Sequence, residues 1–212
     1  DVDGVSTDFE STVNVIAASW IYGRALQNGG AFEYATNFAV GSRTSDAVGF
    51  SDGDKDFWHL RVGFGYQQPV SWFGENSSFR AELWGQYTND RLPSIEQFYL
   101  GGIDDERGYA FAEVQGDSGF SAVLQAGRDF FPQSKVVRRF RPFGFVDVGY
   151  VDNNEPSVGE IDGEFLSSVG VGLDLEFENR FFAQAYVAVP MTSGPETDSG
   201  DPALYLALSK SW

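Results

Sequence analysis

The stretch Glu164–Phe177, EFLSSVGVGLDLEF, alternates with a period of two residues. Apolar side chains dominate its odd-numbered positions, whereas its even-numbered positions carry mostly small or acidic residues such as Gly170 and Asp174. Successive side chains of an extended chain point to opposite sides, so this stretch predicts a β-strand with one apolar and one polar face. The same alternation recurs at 56–69, 77–90 and 140–152.

Extending this pattern along the chain predicts nine strands, of which the first is the least regular. They are 12–25, 31–42, 56–69, 77–90, 118–130, 140–152, 163–177, 180–190 and 203–212. Their length of roughly ten to fourteen residues suits a tilted crossing of a bilayer better than a soluble sandwich. The fold class predicted is all-β: an antiparallel transmembrane β-barrel, a single domain over residues 1–212, whose polar face lines a wet lumen. The alternatives are a soluble sandwich or lipocalin-like barrel and, if the first strand is absent, a small barrel of eight strands.

The composition argues against several classes of function. The 212 residues include one histidine and no cysteine, and the net charge is −17. This charge argues against a nucleic-acid partner, since phosphate binding needs clustered Lys and Arg. We find no nucleophile elbow, phosphate loop or spaced metal ligands, so we expect no enzyme, cofactor or metal. His59 is interpreted as a polar wall residue, and the acidic runs Asp52–Asp56 and Asp104–Glu106 lack the full spacing of a calcium loop.

The connections between the predicted strands alternate in length, which predicts an orientation. The long connections, at 43–55, 91–117, 153–162 and 192–202, carry most of the acidic residues. Outer-membrane barrels have long external loops and short periplasmic turns, so we expect the C-terminus in the periplasm and contacts with outer-membrane lipid and lipopolysaccharide. The terminal aromatic Trp212 resembles the signal by which such proteins are recognised for insertion, which implies the barrel-assembly machinery as a partner.

The longest connection carries the most specific motifs. It contains SIEQFYLGGIDDERGY at Ser94–Tyr109 and begins the string GDSG at Gly116–Gly119; a third string, FGFVDVG, follows at Phe143–Gly149. Together these strings resemble the haemolysin secretion/activation family of two-partner secretion transporters, in the superfamily of the outer-membrane barrel-assembly insertase. The resemblance covers about residues 56–212 well.

The resemblance implies an outer-membrane pore that translocates an unfolded, secreted partner polypeptide. Family members are similar in having a sixteen-stranded barrel, and an Arg-Gly-aromatic motif at the tip of an external loop that folds into the lumen. In this chain that loop is 91–117. The alternatives are an insertase of the same superfamily, a small structural or passive barrel, and the barrel anchor of a surface lipase.

The motif residues predict a gate in which Arg107 pairs with Asp147. Gly108 would let the loop tip turn closely, and Tyr109 would pack against Phe143 or Phe145 with its hydroxyl in water. Gly149 and Gln125 are the remaining supporting lumen residues that we predict.

Two positions depart from the family pattern. Glu106 stands where Val or Ile is usual, and it is a carboxylate able to compete with Asp147 for Arg107. Gln125 is the best counterpart of a lumen-facing Glu, so a charge that would help orient the loop is missing.

The predicted topology places the two ends of the chain on opposite sides of the membrane. Four strands precede an external loop, so the N-terminus is external while Trp212 is periplasmic. Nine strands cannot close with both ends in the periplasm. We therefore expect strands eight to sixteen of the family barrel, with the remaining strands or another chain pairing the two edges.

Overall fold

The computed structural model describes residues 11–45, 54–156 and 162–211. Nine long strands form one sheet in which every neighbouring pair is antiparallel. They are β1 (Ser11–Ala25), β2 (Ala31–Ser45), β3 (Asp56–Val70), β4 (Ser77–Tyr87), β8 (Ser118–Arg128), β9 (Val137–Asp152), β10 (Gly163–Phe177), β11 (Phe181–Pro190) and β12 (Ala203–Lys210). The sheet order is β1-β2-β3-β4-β8-β9-β10-β11-β12.

The all-β prediction is confirmed, and the nine strands lie close to their predicted positions. The largest differences are three residues: β2 ends at 45 rather than 42, β4 ends at 87 rather than 90, and β9 begins at 137 rather than 140. β1 pairs with β2 over its whole length, from Ser11 opposite Ser45 to Ala25 opposite Ala31. The condition for the small eight-stranded barrel is therefore not met.

Three short strands, which the sequence pattern did not predict, lie within residues 91–117. They are β5 (Phe98–Leu100), β6 (Gly102–Tyr109) and β7 (Val114–Gly116), and a single 3₁₀ turn at Ser94–Glu96 precedes them. β5 and β7 pair with each other as a separate two-stranded sheet. β6 lies across the large sheet and contacts β8, β9, β10, β11 and β12. We call residues 91–117 the inward loop, and the face of the sheet that it covers the inner face.

The two faces of the large sheet differ as the alternation predicts. On β9 the odd-numbered residues from Phe143 to Val151 are buried on the inner face, while Val146 is 45% exposed on the other face. Large exposed apolar residues of that outer face include Val62, Phe64, Leu83, Phe120, Leu124, Val171, Leu204, Leu206 and Leu208. The described residues supply no second protein layer over these side chains, an arrangement typical of a lipid-facing barrel wall.

Among the described residues, no helix is long and apolar enough to cross a membrane.

The buried core lies between the inward loop and strands β9 to β11. One cluster joins the loop to the wall and contains Leu100, Tyr109, Val114, Val151 and Leu166. A second cluster contains Phe143, Phe145, Tyr186 and Ala188, with Tyr205 packed against it. Burial of this apolar surface helps to hold in one place a loop that has no periodicity of its own.

Candidate functional site

Arg107, near the end of β6, makes a bidentate ion pair with Asp147 of β9. Its Nε and Nη2 donate to the two carboxylate oxygens at 2.8 Å each, and its backbone N–H donates to Oδ2 at 3.1 Å. Asp147 is fully buried and Arg107 is 6% exposed. A charge-assisted, two-pronged pair of this kind fixes both the position and the orientation of the loop.

Gln125 and Phe145 also contact the guanidinium group. Gln125 of β8 accepts a hydrogen bond from Nη1 at 3.0 Å. The guanidinium carbon lies 3.4 Å from the centroid of the Phe145 ring, the geometry of a cation–π contact. Gln125 thus supplies an acceptor to Arg107 even though it lacks the charge of the family's usual glutamate.

Gly108 takes a left-handed backbone conformation, with a φ of +106°. A Cβ atom at this position would lie 3.2 Å from Ala188 Cβ and from Pro190 Cδ, so the loop tip lies closely against β11. Both the dihedral angle and the close approach favour glycine here.

The prediction for Tyr109 is wrong in both respects. Its ring packs in the cluster around Leu100 and Leu166, nearer the Val151 end of β9, and not against Phe143 or Phe145. The Phe145 ring is already covered by Arg107, and the backbone changes direction at Gly108, so the Tyr109 ring does not reach it. Its hydroxyl is not in water either: it donates to the Thr192 carbonyl at 2.6 Å, and the residue is 2% exposed.

Glu106 does not compete for Arg107. Its side chain points to Gly149 of β9, where an added Cβ atom would lie 2.5 Å from Oε1. Glu106 is fully buried with a φ of +41°, and burial raises the pKa of its carboxyl to about 8. The carboxylates of Asp105 and Asp147 contribute to this rise in pKa, while Ser121 and the Gly101 backbone oppose it.

Glu113, which the sequence analysis did not single out, ties the inward loop to the connection between β11 and β12. Its Oε1 accepts from the backbone N–H groups of Glu196 and Thr197 at 2.7 and 2.8 Å. Its Oε2 accepts from the Thr197 hydroxyl at 2.7 Å and from the Ala110 N–H at 3.0 Å. Burial alone would raise the pKa of Glu113, but these hydrogen bonds outweigh it and lower the pKa.

Asp117 anchors the base of the loop. It is fully buried and accepts from the backbone N–H groups of Leu92 and Asn154, both at 2.8 Å, and from Gln97 Nε2 at 3.0 Å. It lies in the GDSG string, and its sequence context alone does not mark it as an anchor.

His59 lies on the inner face of β3, buried, with Nε2 3.0 Å from Glu96 of the loop. Loop contacts therefore reach across the sheet from β3 to the β11–β12 connection. Trp212, the predicted insertion signal, lies outside the described residues.

The chain matches a protein-family model and is similar to a solved structure. The model of the family described as haemolysin secretion/activation protein ShlB/FhaC/HecB matches residues 9–175. The solved structure of CdiB from Acinetobacter baumannii matches with a TM-score of 0.56 and 15% sequence identity. The match covers 94% of this chain and 42% of that one, and at this identity it shows the fold alone. No curated protein matches the chain.

Proposed function

Because the chain belongs to the haemolysin secretion/activation family, we propose that it forms part of an outer-membrane pore that passes an unfolded, secreted partner polypeptide outward. The chain spans 42% of the length of the CdiB structure that it matches. We therefore propose that further strands complete the barrel by pairing with β1 and β12, because an open sheet edge in lipid is costly. The family is one of secretion proteins and not of enzymes, which favours translocation over membrane-protein insertion and over a passive barrel.

The inward loop is the proposed gate of this pore. The observation that carries the proposal is the buried pair of Arg107 and Asp147, which joins the loop tip to the inner face at 2.8 Å. In the resting state the loop occupies the lumen, and an entering polypeptide shifts it by competing for the same inner face. The loop must be held firmly enough to close the pore, yet by contacts that separate without unfolding the wall.

The inner face near the loop tip offers polar groups of both charges. The residues around this space include Gln67, Arg80, Glu82, Gln125, Asp174 and Gln184. An extended polypeptide exposes a backbone donor and acceptor at nearly every residue. Mixed polar side chains provide exchangeable hydrogen bonds to such a chain, which suits passage better than tight binding.

The proposed orientation follows from the connections. The inward loop and the long connections after β2, β9 and β11 belong to the external side of the barrel, and the short turns and the C-terminus belong to the periplasmic side. The exposed apolar outer face then contacts lipid, and the acidic rim faces the lipopolysaccharide layer.

Replacing Arg107 with alanine in the full-length transporter is expected to raise or destabilise the single-channel conductance and to impair secretion of the partner. The change removes both prongs of the ion pair and the contact with Phe145. Planar-bilayer recording and a secretion assay in cells measure the two effects. Arg107→Lys is the matched control: it keeps the charge but not the two-pronged geometry, so an intermediate effect is expected. Conductance and secretion both equal to those of the wild type in Arg107→Ala would show that the loop is not the gate.

A further inference from the structure

Glu106 is a buried acid without a counter-ion, next to the ion pair of Arg107 and Asp147. Among the described residues, neither carboxyl oxygen of Glu106 nor the buried hydroxyl of Ser121 makes a hydrogen bond of good geometry, although Ser121 and the Gly101 backbone lie near enough to the carboxyl to lower its pKa somewhat. The carboxyl lies against the Gly149 backbone and the Leu100 side chain. A buried carboxylate with no counter-ion is strongly disfavoured, whereas a neutral carboxylic acid costs much less.

The charged groups around Glu106 do not compensate a negative charge. On its own strand, Asp105 is acidic and Arg107 is already engaged by Asp147 and Gln125. From β9 the facing groups are Asp147, which adds a second negative charge, and Gly149. From β5 and β8 they are Leu100 and Ser121, which carry no charge. Burial and the neighbouring negative charges therefore both favour the neutral, protonated form of Glu106.

We propose that Glu106 is a proton-operated lock of the inward loop: the loop is docked when Glu106 is protonated and is released when Glu106 ionises. The inference rests on the proposed gating role of the loop. In the docked state the acid proton offers a donor to Ser121, so that one proton satisfies two groups that otherwise lack partners. In the released state the carboxylate reaches water, which favours its ionised form.

The direction of the pH effect follows from the two states. In water the pKa of Glu106 is near its usual value of 4.5, and burial in the docked loop raises it to about 8. Below pH 4.5 both states hold the proton, so docking is strongest there. Between 4.5 and 8 release frees a proton, so docking weakens as the pH rises, by up to about tenfold per pH unit. Above 8 both states have lost it, and the weakening is complete.

The test measures loop position against pH in the full-length transporter. Spin labels are attached at Phe111→Cys on the loop and Val171→Cys on the outer face; both positions are well exposed, and residues 1–212 contain no other cysteine. Pulsed EPR at pH 5.5, 7 and 8.5 then gives the fraction of transporters with the loop displaced. We expect this fraction to rise with pH in the otherwise wild-type protein and to stay low and constant in Glu106→Gln.

Asp104→Asn is the matched control, because Asp104 is an exposed acid two residues away on the same strand. It should keep the full pH dependence. A wild-type loop whose position does not change with pH, or an equal slope in Glu106→Gln, would overturn the lock. If Arg107→Ala displaces the loop at every pH while the wild type shows no pH dependence, the lock is wrong and the gate stands. If Arg107→Ala displaces nothing and leaves conductance and secretion unchanged, the gate itself is wrong.

Discussion

Replacing Asp147 with alanine is expected to displace the inward loop from the inner face in most molecules. The change leaves the Arg107 guanidinium buried with neither of its two 2.8 Å carboxylate contacts. Breaking a buried ion pair by removing one partner costs about 3–5 kcal/mol, because the remaining charge is uncompensated. Moving the loop into water lets the guanidinium group be solvated, which removes this penalty. Pulsed EPR between positions 111 and 171 measures the displacement, and single-channel recording measures the larger conductance that should accompany it.

The double variant Arg107→Ala/Asp147→Ala separates loss of the pair from the penalty of an orphaned charge. Without either charge, the loop keeps its apolar cluster around Tyr109 and its Glu113 and Asp117 contacts. We therefore expect the double variant to be less displaced than Asp147→Ala alone, which a double-mutant cycle expresses as a coupling energy. Strictly additive effects would mean that the two side chains do not interact in the resting transporter.

Replacing Gly170 with alanine is expected to weaken the attachment of the loop by displacing the Phe145 ring on which Arg107 stacks. Gly170 of β10 lies opposite Phe145 of β9, and an added Cβ atom would collide with the Phe145 ring and with the Val187 carbonyl oxygen. The ring that stacks on Arg107 would have to move, and overpacking of this kind costs about 1–3 kcal/mol. Lower stability of the refolded barrel in urea and a shifted distance in pulsed EPR are the expected results.

Gly144→Ala is the matched control for this change. Gly144 lies next to Phe145 on β9, but an added Cβ atom there would meet nothing closer than the Gly170 carbonyl oxygen at 3.8 Å. Stability and loop position should remain those of the wild type. If both alanine variants behave alike, the effect reflects glycine replacement in a strand and not contact with Phe145.

The wall of the molecule could be predicted from the sequence because each strand carries its own signal. The alternation from Glu164 to Phe177 depends only on which side each residue faces, and the structure places Leu166 and Ser168 inside and Phe165 and Val171 outside. Strand ends were less predictable. β9 begins at Val137, before the alternation becomes regular, because pairing with β10 extends there.

The inward loop could be predicted only in part. Motif strings supplied Arg107 and Asp147 as a pair, and their two-pronged geometry then follows from residue chemistry. β6 carries no periodic pattern: it crosses several strands of the inner face, so that Ile103 and Asp104 are exposed while Glu106 to Tyr109 are all buried. The partners of Tyr109 depend on how far along β9 the tip reaches, which no local spacing encodes.

The remaining anchors of the loop depend on backbone groups that are distant in the sequence. Glu113 binds the amides of Glu196 and Thr197, and Asp117 binds those of Leu92 and Asn154. Every residue type except proline offers a backbone N–H, so the sequence marks the acceptor but not its donor. Glu106 was noticed as a departure from the family, and only the fold shows that it faces Gly149 and not Arg107.

Locking the loop with a disulfide tests the central claim, that the inward loop must leave the inner face for the partner to pass. Gly149 lies beneath the Glu106 side chain, with 2.8 Å between an added Cβ atom and Glu106 Cδ, so Glu106→Cys and Gly149→Cys are the pair chosen to cross-link the loop to β9. The full-length transporter is oxidised or reduced, and secretion of the partner is measured in each state, with the single-cysteine variants as controls. Secretion blocked when the disulfide is formed and restored on reduction is the predicted result. Equal secretion in both states, with the disulfide shown to be formed, would contradict the gate.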